Sequence, residues 1–147
     1  MANRTADAFP YVSFRFRIEF DKVIAGGFIE CSGLQVETEV EEHREGGLNE
    51  FSHKLPKGTK YGTITLKRGF IDSTDLWDWN QNVIAGKTQQ RKNLSIIMLD
   101  GLGNDKIRWD VMNAFPVKWS SSEFKADGNT VMVETLELAH HGFVRAK

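Results

Sequence analysis

The chain has 147 residues, with 19 Lys and Arg against 20 Asp and Glu for a formal net charge of -1. That length lets one domain bury roughly two-thirds of its unfolded surface without a disulfide or metal, and the near-neutral balance excludes a global field for nucleic acid or an anionic membrane. Cys31 is the single cysteine, which excludes an internal disulfide framework and a zinc ribbon and reads as a small buried hydrophobe.

No run approaches the roughly 20 apolar residues of a bilayer span, and the opening MANRTADAFPY lacks the apolar core of a signal peptide. The product is therefore expected to be soluble and cytoplasmic when synthesised. No Ser/Gly-rich linker and no fixed-period repeat interrupts the chain, so 1–147 reads as a single domain.

After a polar start, Val12, Phe14, Phe16, Ile18 and Phe20 alternate with Ser13, Arg15, Arg17 and Glu19, the clearest strand in the sequence. A Gly-Gly pair marks a turn within 22–27. From 28 to 45 the pattern predicts one long strand, bent or bulged at Ser32-Gly33, with Leu34, Val36, Thr38 and Val40 opposite Gln35, Glu37, Glu39 and Glu41. Over 44–60 the alternation fails. A Gly pair, a proline and mixed charge read as a connection, yet Leu48, Phe51 and Leu55 on it predict that it docks against something.

The stretch 61–86 predicts a strand, with Ile64 and Leu66 on one face and Thr63, Thr65 and Lys67 on the other, and then one helix. Asp72 or Ser73 can cap that helix, Asp75 suits its positive end, and Gly86 suits its stop. Leu76, Trp79 and Val83 make an apolar stripe that Trp77 and Ile84 widen, so Leu76, Trp77, Trp79 and Val83 are expected to anchor it on a sheet.

LSIIML at 94–99, DGLGND and IRWDVMNAFPVKW then draw a hairpin. In its second arm Ile107, Trp109, Val111, Phe115, Val117 and Trp119 share one parity if no bulge intervenes, and Pro116 marks an edge or irregularity. Asp127-Gly128-Asn129 is another turn. The last strand, 130–143, puts Val131 and Val133 on one parity and Leu136 and Leu138 on the other, which a bulge near Glu134 or Thr135 would reconcile. The count is six or seven strands and one helix, a mainly β sandwich or partly closed barrel of antiparallel sheets with the helix over an open side.

No chemistry converges in this pattern. His43 with Glu41, Glu42 and Glu45 lies on an extended stretch whose neighbours point to opposite faces, and His140-His141 has the same defect, so no metal is expected. No phosphate-cradling glycine loop or nucleophile elbow occurs, and Ser120 to Ser122 sit where hydroxyls bond local backbone. No catalytic residue and no cofactor is expected. Arg15 and Arg17 lie on the parity opposite the Phe residues, which assigns those aromatics to a core rather than to nucleic acid.

Four separated segments, GFIECSGLQVETEVEEHREGG, LPKGTKYGTITLKRG, NAFPVKW and VETLELAHHGF, together resemble the tail-tube protein family of contractile-tailed phages and contractile injection systems. The resemblance implies two antiparallel sheets in a sandwich-like barrel with one flanking α-helix, a structural rather than enzymatic role, and hexameric rings stacked into a hollow conduit. It further implies sheets joined side by side around the ring and a long extended hairpin arm reaching the next ring. That arm would be the distal part of 37–60, carrying Glu45, Leu48, Phe51, Leu55 and Lys57. The face of Gln35, Glu37, Glu39 and Glu41 would line the lumen or meet the sheath. Implied partners are further copies of the chain, sheath, baseplate and tube-terminator proteins, and a passing cargo of effector or DNA, without specific nucleic-acid binding or membrane insertion. The residues leave open a second reading, a monomeric β-sandwich module that binds a ligand or glycan through the 44–60 loop and the Trp residues.

Overall fold

The structure, a computed structural model, describes residues 15–43, 53–87, 90–126 and 128–147. Strand β1 (Phe16–Phe20) realises the strongest alternation, with Ile18 and Phe20 buried. Asp21 and Lys22, with φ of 48° and 69°, turn the chain tightly into β2 (Val23–Ala25), since such hairpins need positive φ at both central residues. The predicted long strand is two strands, β3 (Phe28–Ser32) and β4 (Val36–His43), which pair with different neighbours. The break falls at Gly33, where φ is 97° and a Cβ would lie 2.1 Å from the carbonyl oxygen of Thr63. Backbone packs directly on backbone there, so the chain turns out of its sheet instead of bending within it.

Strand β5 (His53–Tyr61) pairs antiparallel with β4 as a separate two-stranded ribbon. The chain then returns to the body through β6 (Ile64–Gly69), helix α1 (Asp75–Ile84), β7 (Lys92–Leu99), β8 (Asp105–Ser121), β9 (Val133–Ala139) and β10 (Phe143–Arg145). The hairpin expected around DGLGND joins β7 to β8, where the Asp100 carboxylate accepts the backbone N–H groups of Leu102 and Asn104.

The 17-residue β8 organises the two sheets. Its first half lies between β7 and β10, giving the order β2-β1-β7-β8-β10, and its second half pairs with β9, giving β3-β6-β9-β8. Asn113 marks the changeover. With φ of 52° it takes up an extra residue between the pairs Lys92↔Ala114 and Leu94↔Val111. The predicted single parity therefore fails: Val111 is buried, but beyond Asn113 the inward residues are Ala114 and Pro116, while Val117 is exposed. A second shift between Pro116 and Lys118 sets Trp119 opposite Leu136.

The predicted bulge in the last strand is absent. Strand β9 pairs in unbroken register with β6 from Val133↔Gly69 to Leu138↔Ile64, and its inward residues are Glu134, Leu136 and Leu138.

Ile18, Phe20, Leu94, Ile96 and Val111 from one sheet meet Ile64, Leu66, Leu136 and Leu138 from the other, and Leu76 and Trp79 of α1 complete this core. Among the described residues the architecture is mainly β with two antiparallel sheets and one helix, and the sheets do not close into a barrel.

Candidate functional site

Every residue of β4 and β5 is exposed. Their register puts Val36, Thr38, Val40 and Glu42 opposite Tyr61, Thr59, Pro56 and Lys54 on one face. The other face carries Glu37, Glu39 and Glu41, with Lys60 opposite Glu37 and Leu55 opposite Glu41. Lys60 reaches Glu39 at 3.6 Å, an exposed pair that adds little stability. An isolated two-stranded ribbon is at best marginally stable in water.

Its base, by contrast, is fastened to the body. Gly62 donates its N–H to the Gln35 carbonyl at 3.1 Å, and a Cβ on Gly62 would fall 2.6 Å from the Gln35 side chain. Gln35 thus packs at the root, and beyond it this face carries Glu37, Glu39 and Glu41 together with Lys60. The Tyr61 ring stands 5.6 Å from both the His140 and Phe143 rings. His140 Nδ1 accepts the Gly142 N–H at 3.0 Å, which leaves Nε2 as the protonated nitrogen donating to the Gly62 carbonyl at 2.8 Å.

Of the predicted arm residues, Leu55 and Lys57 lie on β5 and are exposed; Glu45, Leu48 and Phe51 lie outside the described residues.

Besides the ribbon strands β4 and β5, the strands β2, β3, β10 and β8 beyond Ala114 pair on one side only among the described residues. They expose Val23, Ile24, Ile29, Val144 and Val117. Unpaired backbone beside exposed apolar side chains is a template for strand addition by another chain.

The helix anchors on Leu76 and Trp79, with Val83 packed at the edge of the core. Trp79, 3% exposed, meets the Phe20 ring edge-on at 5.2 Å and donates its indole N–H to the Gln90 carbonyl. Trp77 corrects the expectation: it is 42% exposed, its ring 4.8 Å from that of Trp119, and Ile84 is exposed too. One residue step is about 100° around a helix, so Trp77 leaves the buried stripe for its flank. Thr74 holds the N-cap position without a side-chain capping bond, while Ser73 Oγ accepts the Asp75 N–H at 3.4 Å, and Gly86, with φ of 71°, ends the helix as predicted.

The sequence reading missed a buried ion pair that ties the helix to the second sheet. The Arg68 guanidinium, 1% exposed, donates to Glu134 Oε1 at 2.7 Å and to Asp75 Oδ1 at 2.6 Å, and the Trp119 indole donates to Glu134 Oε2 at 3.1 Å. Burial alone would lower the Arg68 pKa, but the hydrogen bonds and charges of Asp75 and Glu134 raise it. For Asp75 burial acts upward, and the Arg68 hydrogen bond and charge, with the Ser73 and Leu76 donors, hold the carboxyl below its ordinary value. A usable signal was present: Arg68 shares parity with Ile64 and Leu66, and Glu134 with Leu136 and Leu138.

Among the described residues no group of three or more His, Cys, Asp or Glu is placed to hold a metal ion, and no helix is long and apolar enough to cross a membrane.

This chain of two open-edged sheets, one covering helix and an exposed ribbon is, by its similarities, a phage-tail-like structural protein. More particularly, the chain belongs to the family of the T4-like virus tail tube protein gp19, whose profile matches residues 12–144. It is similar to a chain in the cryo-EM structure of the anti-feeding prophage baseplate (29% identity, 94% of this chain and 96% of that one covered, TM-score 0.82). It is also similar to a chain in the sheath-tube complex of the extracellular contractile injection system PVC in its extended state (26% identity, 99% and 97% covered, TM-score 0.83). Hcp1 from Flavobacterium johnsoniae shares the fold at 15% identity, with 89% and 94% covered and a TM-score of 0.55. No curated protein matches at a significant level.

Proposed function

We propose that this tail tube protein is a subunit of the inner conduit of a contractile particle, assembling as hexameric rings that stack into a hollow tube. The observation that carries the reading is the ribbon of β4 and β5, exposed along its whole described length, on a body whose strands β2, β3 and β10 have an open edge among the described residues. The edges join neighbouring subunits around a ring, and the ribbon reaches a subunit of the next ring, bringing Leu48, Phe51 and Leu55 to it.

The role is structural and needs no catalytic group. Relatives in the baseplate and sheath-tube complexes named above support sheath and baseplate proteins as partners; a tube-terminator protein and a cargo passing through the lumen complete the proposal. The acidic face of Glu37, Glu39 and Glu41 would resist adhesion of DNA wherever it meets it. The subunit is made in the cytoplasm and works as part of the particle.

Negative-stain electron microscopy of the concentrated protein tests this directly. Six-fold rings or tubes are expected; small separate particles at every concentration would refute it and favour a monomeric ligand- or glycan-binding module.

A further inference from the structure

A cleft of ≈ 360 Å³ opens at the start of α1, where Phe70, Ile71, Trp77 and Trp119 form its wall. Phe70, Ile71 and Trp77 are exposed, yet the Trp119 ring meets those of Phe70 and Trp77 edge-on at 6.3 and 4.8 Å, so the apolar wall is a fixed cluster. Glu134 also lines the cleft, but its oxygens are taken by Arg68 and the Trp119 indole. The charge still available lies on the rim. Asp72 and Asp78 are exposed and carry no ion pair among the described residues, and Asp78 is held beside the cleft by the hydroxyl of Thr74, a lining residue, which donates to it at 2.9 Å.

The ribbon presents the complement. Its charges are sorted by strand, with Glu37, Glu39, Glu41 and Glu42 on β4 against Lys54, Lys57 and Lys60 on β5. Strand β5 pairs only with β4, so the opposite edge of β5 is open and basic. On that edge Leu55 and Pro56 stand between Lys54 and Lys57, and neither lysine has an ion-pair partner among the described residues. An apolar pair between two cations thus matches an aromatic wall between two carboxylates, and the same carboxylates repel the acidic β4 edge. Leu102, exposed on the β7–β8 turn, is a poorer match, because the neighbouring Lys106 is already paired with Asp100 at 3.8 Å.

The two surfaces do not meet within one chain, since both the β5 residues and the wall of the cleft stand exposed. Strand β6 holds them apart: the ribbon root at Gly62 precedes its start and Phe70 follows its end, with six residues, about 20 Å, between. One subunit therefore offers a ribbon from one end and a cleft at the other, the head-to-tail arrangement that passes from copy to copy.

We propose that the cleft receives the β5 edge of a second copy, Leu55 lying on the aromatic wall and Lys54 and Lys57 reaching Asp72 and Asp78. The inference rests on the ribbon being the arm between rings and adds where on the neighbour it lands.

Charge exchange tests it, with the fraction of full-length protein that sediments as tubes as the readout, electron microscopy to identify the tubes and circular dichroism to check folding. Asp72→Lys/Asp78→Lys and Lys54→Glu/Lys57→Glu are each expected to lower the assembled fraction about tenfold or more, because each sets like charges together. The fourfold variant combining them is expected to recover tubes; a ribbon merely frayed by new carboxylates would gain nothing from changes at the cleft. Should Asp78→Lys disturb the start of the helix, Asp72→Lys is used in its place in both comparisons. Native protein that makes no tubes overturns the proposed function itself. Native tubes accompanied by undiminished tubes in either charge-reversed variant, or by a folded fourfold variant that stays unassembled, overturn the docking site alone.

Discussion

Arg68 and Glu134 offer a sharp test of how the body holds together. Both are buried, with side-chain exposures of 1% and 5%, and removing one partner leaves the other as a charge that water cannot reach. Glu134→Leu leaves Arg68 with Asp75 alone, whose side chain is 48% exposed and already shared with solvent. The expected cost is about 3–5 kcal/mol, and Arg68→Met is expected to cost a similar amount. The double variant puts apolar groups of similar volume in the same space, which is commonly neutral or stabilising, although losing the acceptor for the Trp119 indole costs about 1 kcal/mol. The singles therefore sum to about 6–10 kcal/mol, and the double loses no more than about 2, a coupling of roughly 4 kcal/mol or more. Urea unfolding reads this easily: at a slope of about 2 kcal/mol per molar, each single shifts the midpoint by about 1.5–2.5 M. Single effects that simply add in the double variant would refute the account of a coupled buried pair.

Trp79→Ala should cost about 3–5 kcal/mol, whereas Trp77→Ala should lose little beyond its contact with Trp119, roughly 0.5–1.5 kcal/mol; thermal melts showing the reverse order would overturn the assignment of the anchor. Because the folded Asp75 carboxyl titrates below its unfolded value near 3.9, its contribution is fully present above about pH 4 and is lost as pH falls through the folded value. Melting temperatures recorded from pH 6 to 2.5 should drop in that acid window, and Asp75→Asn should flatten the drop; an identical profile in the variant removes Asp75 from the explanation. Replacing Leu48, Phe51 and Leu55 together with serine should leave the β signal in circular dichroism intact while abolishing tubes in electron micrographs. Full-length tubes from that variant would end the docking role of the arm, and a lost β signal would move the three side chains into the core.

Much of the body was legible in the sequence wherever one face is buried and the other wet. Alternation located β1 and β6, DGLGND gave the β7–β8 hairpin, and the helix lies where its stripe and Gly86 put it. What the pattern could not reveal was non-local. That Gly33 breaks the chain rather than kinking it depends on the Thr63 carbonyl, thirty positions away. The parity of β8 reverses because Asn113 adopts a positive φ that no neighbouring residue announces. Glu134 looked like an error of pattern needing a bulge, because its partner Arg68 lies 66 positions earlier. For β5 the failure has a different cause: both faces are exposed, so burial never sorted its residues and no period was written there.

Strand β8 carries a further consequence, for the kinetics and cooperativity of folding. Its two halves belong to different sheets, so neither sheet can be completed while the other remains unmade. The pairings on either side also join distant parts of the chain, as in Arg17↔Ile97 and Ile64↔Leu138. Contacts of such long sequence separation require the loop-closure entropy to be spent first, which places folding in the slow regime of β proteins, roughly milliseconds to seconds. The body should consequently melt as one unit, with amide exchange in the two sheets governed by a common global opening rather than by separate local ones. A subunit that is either wholly formed or wholly unformed presents no half-made sheet edge for a neighbour to extend.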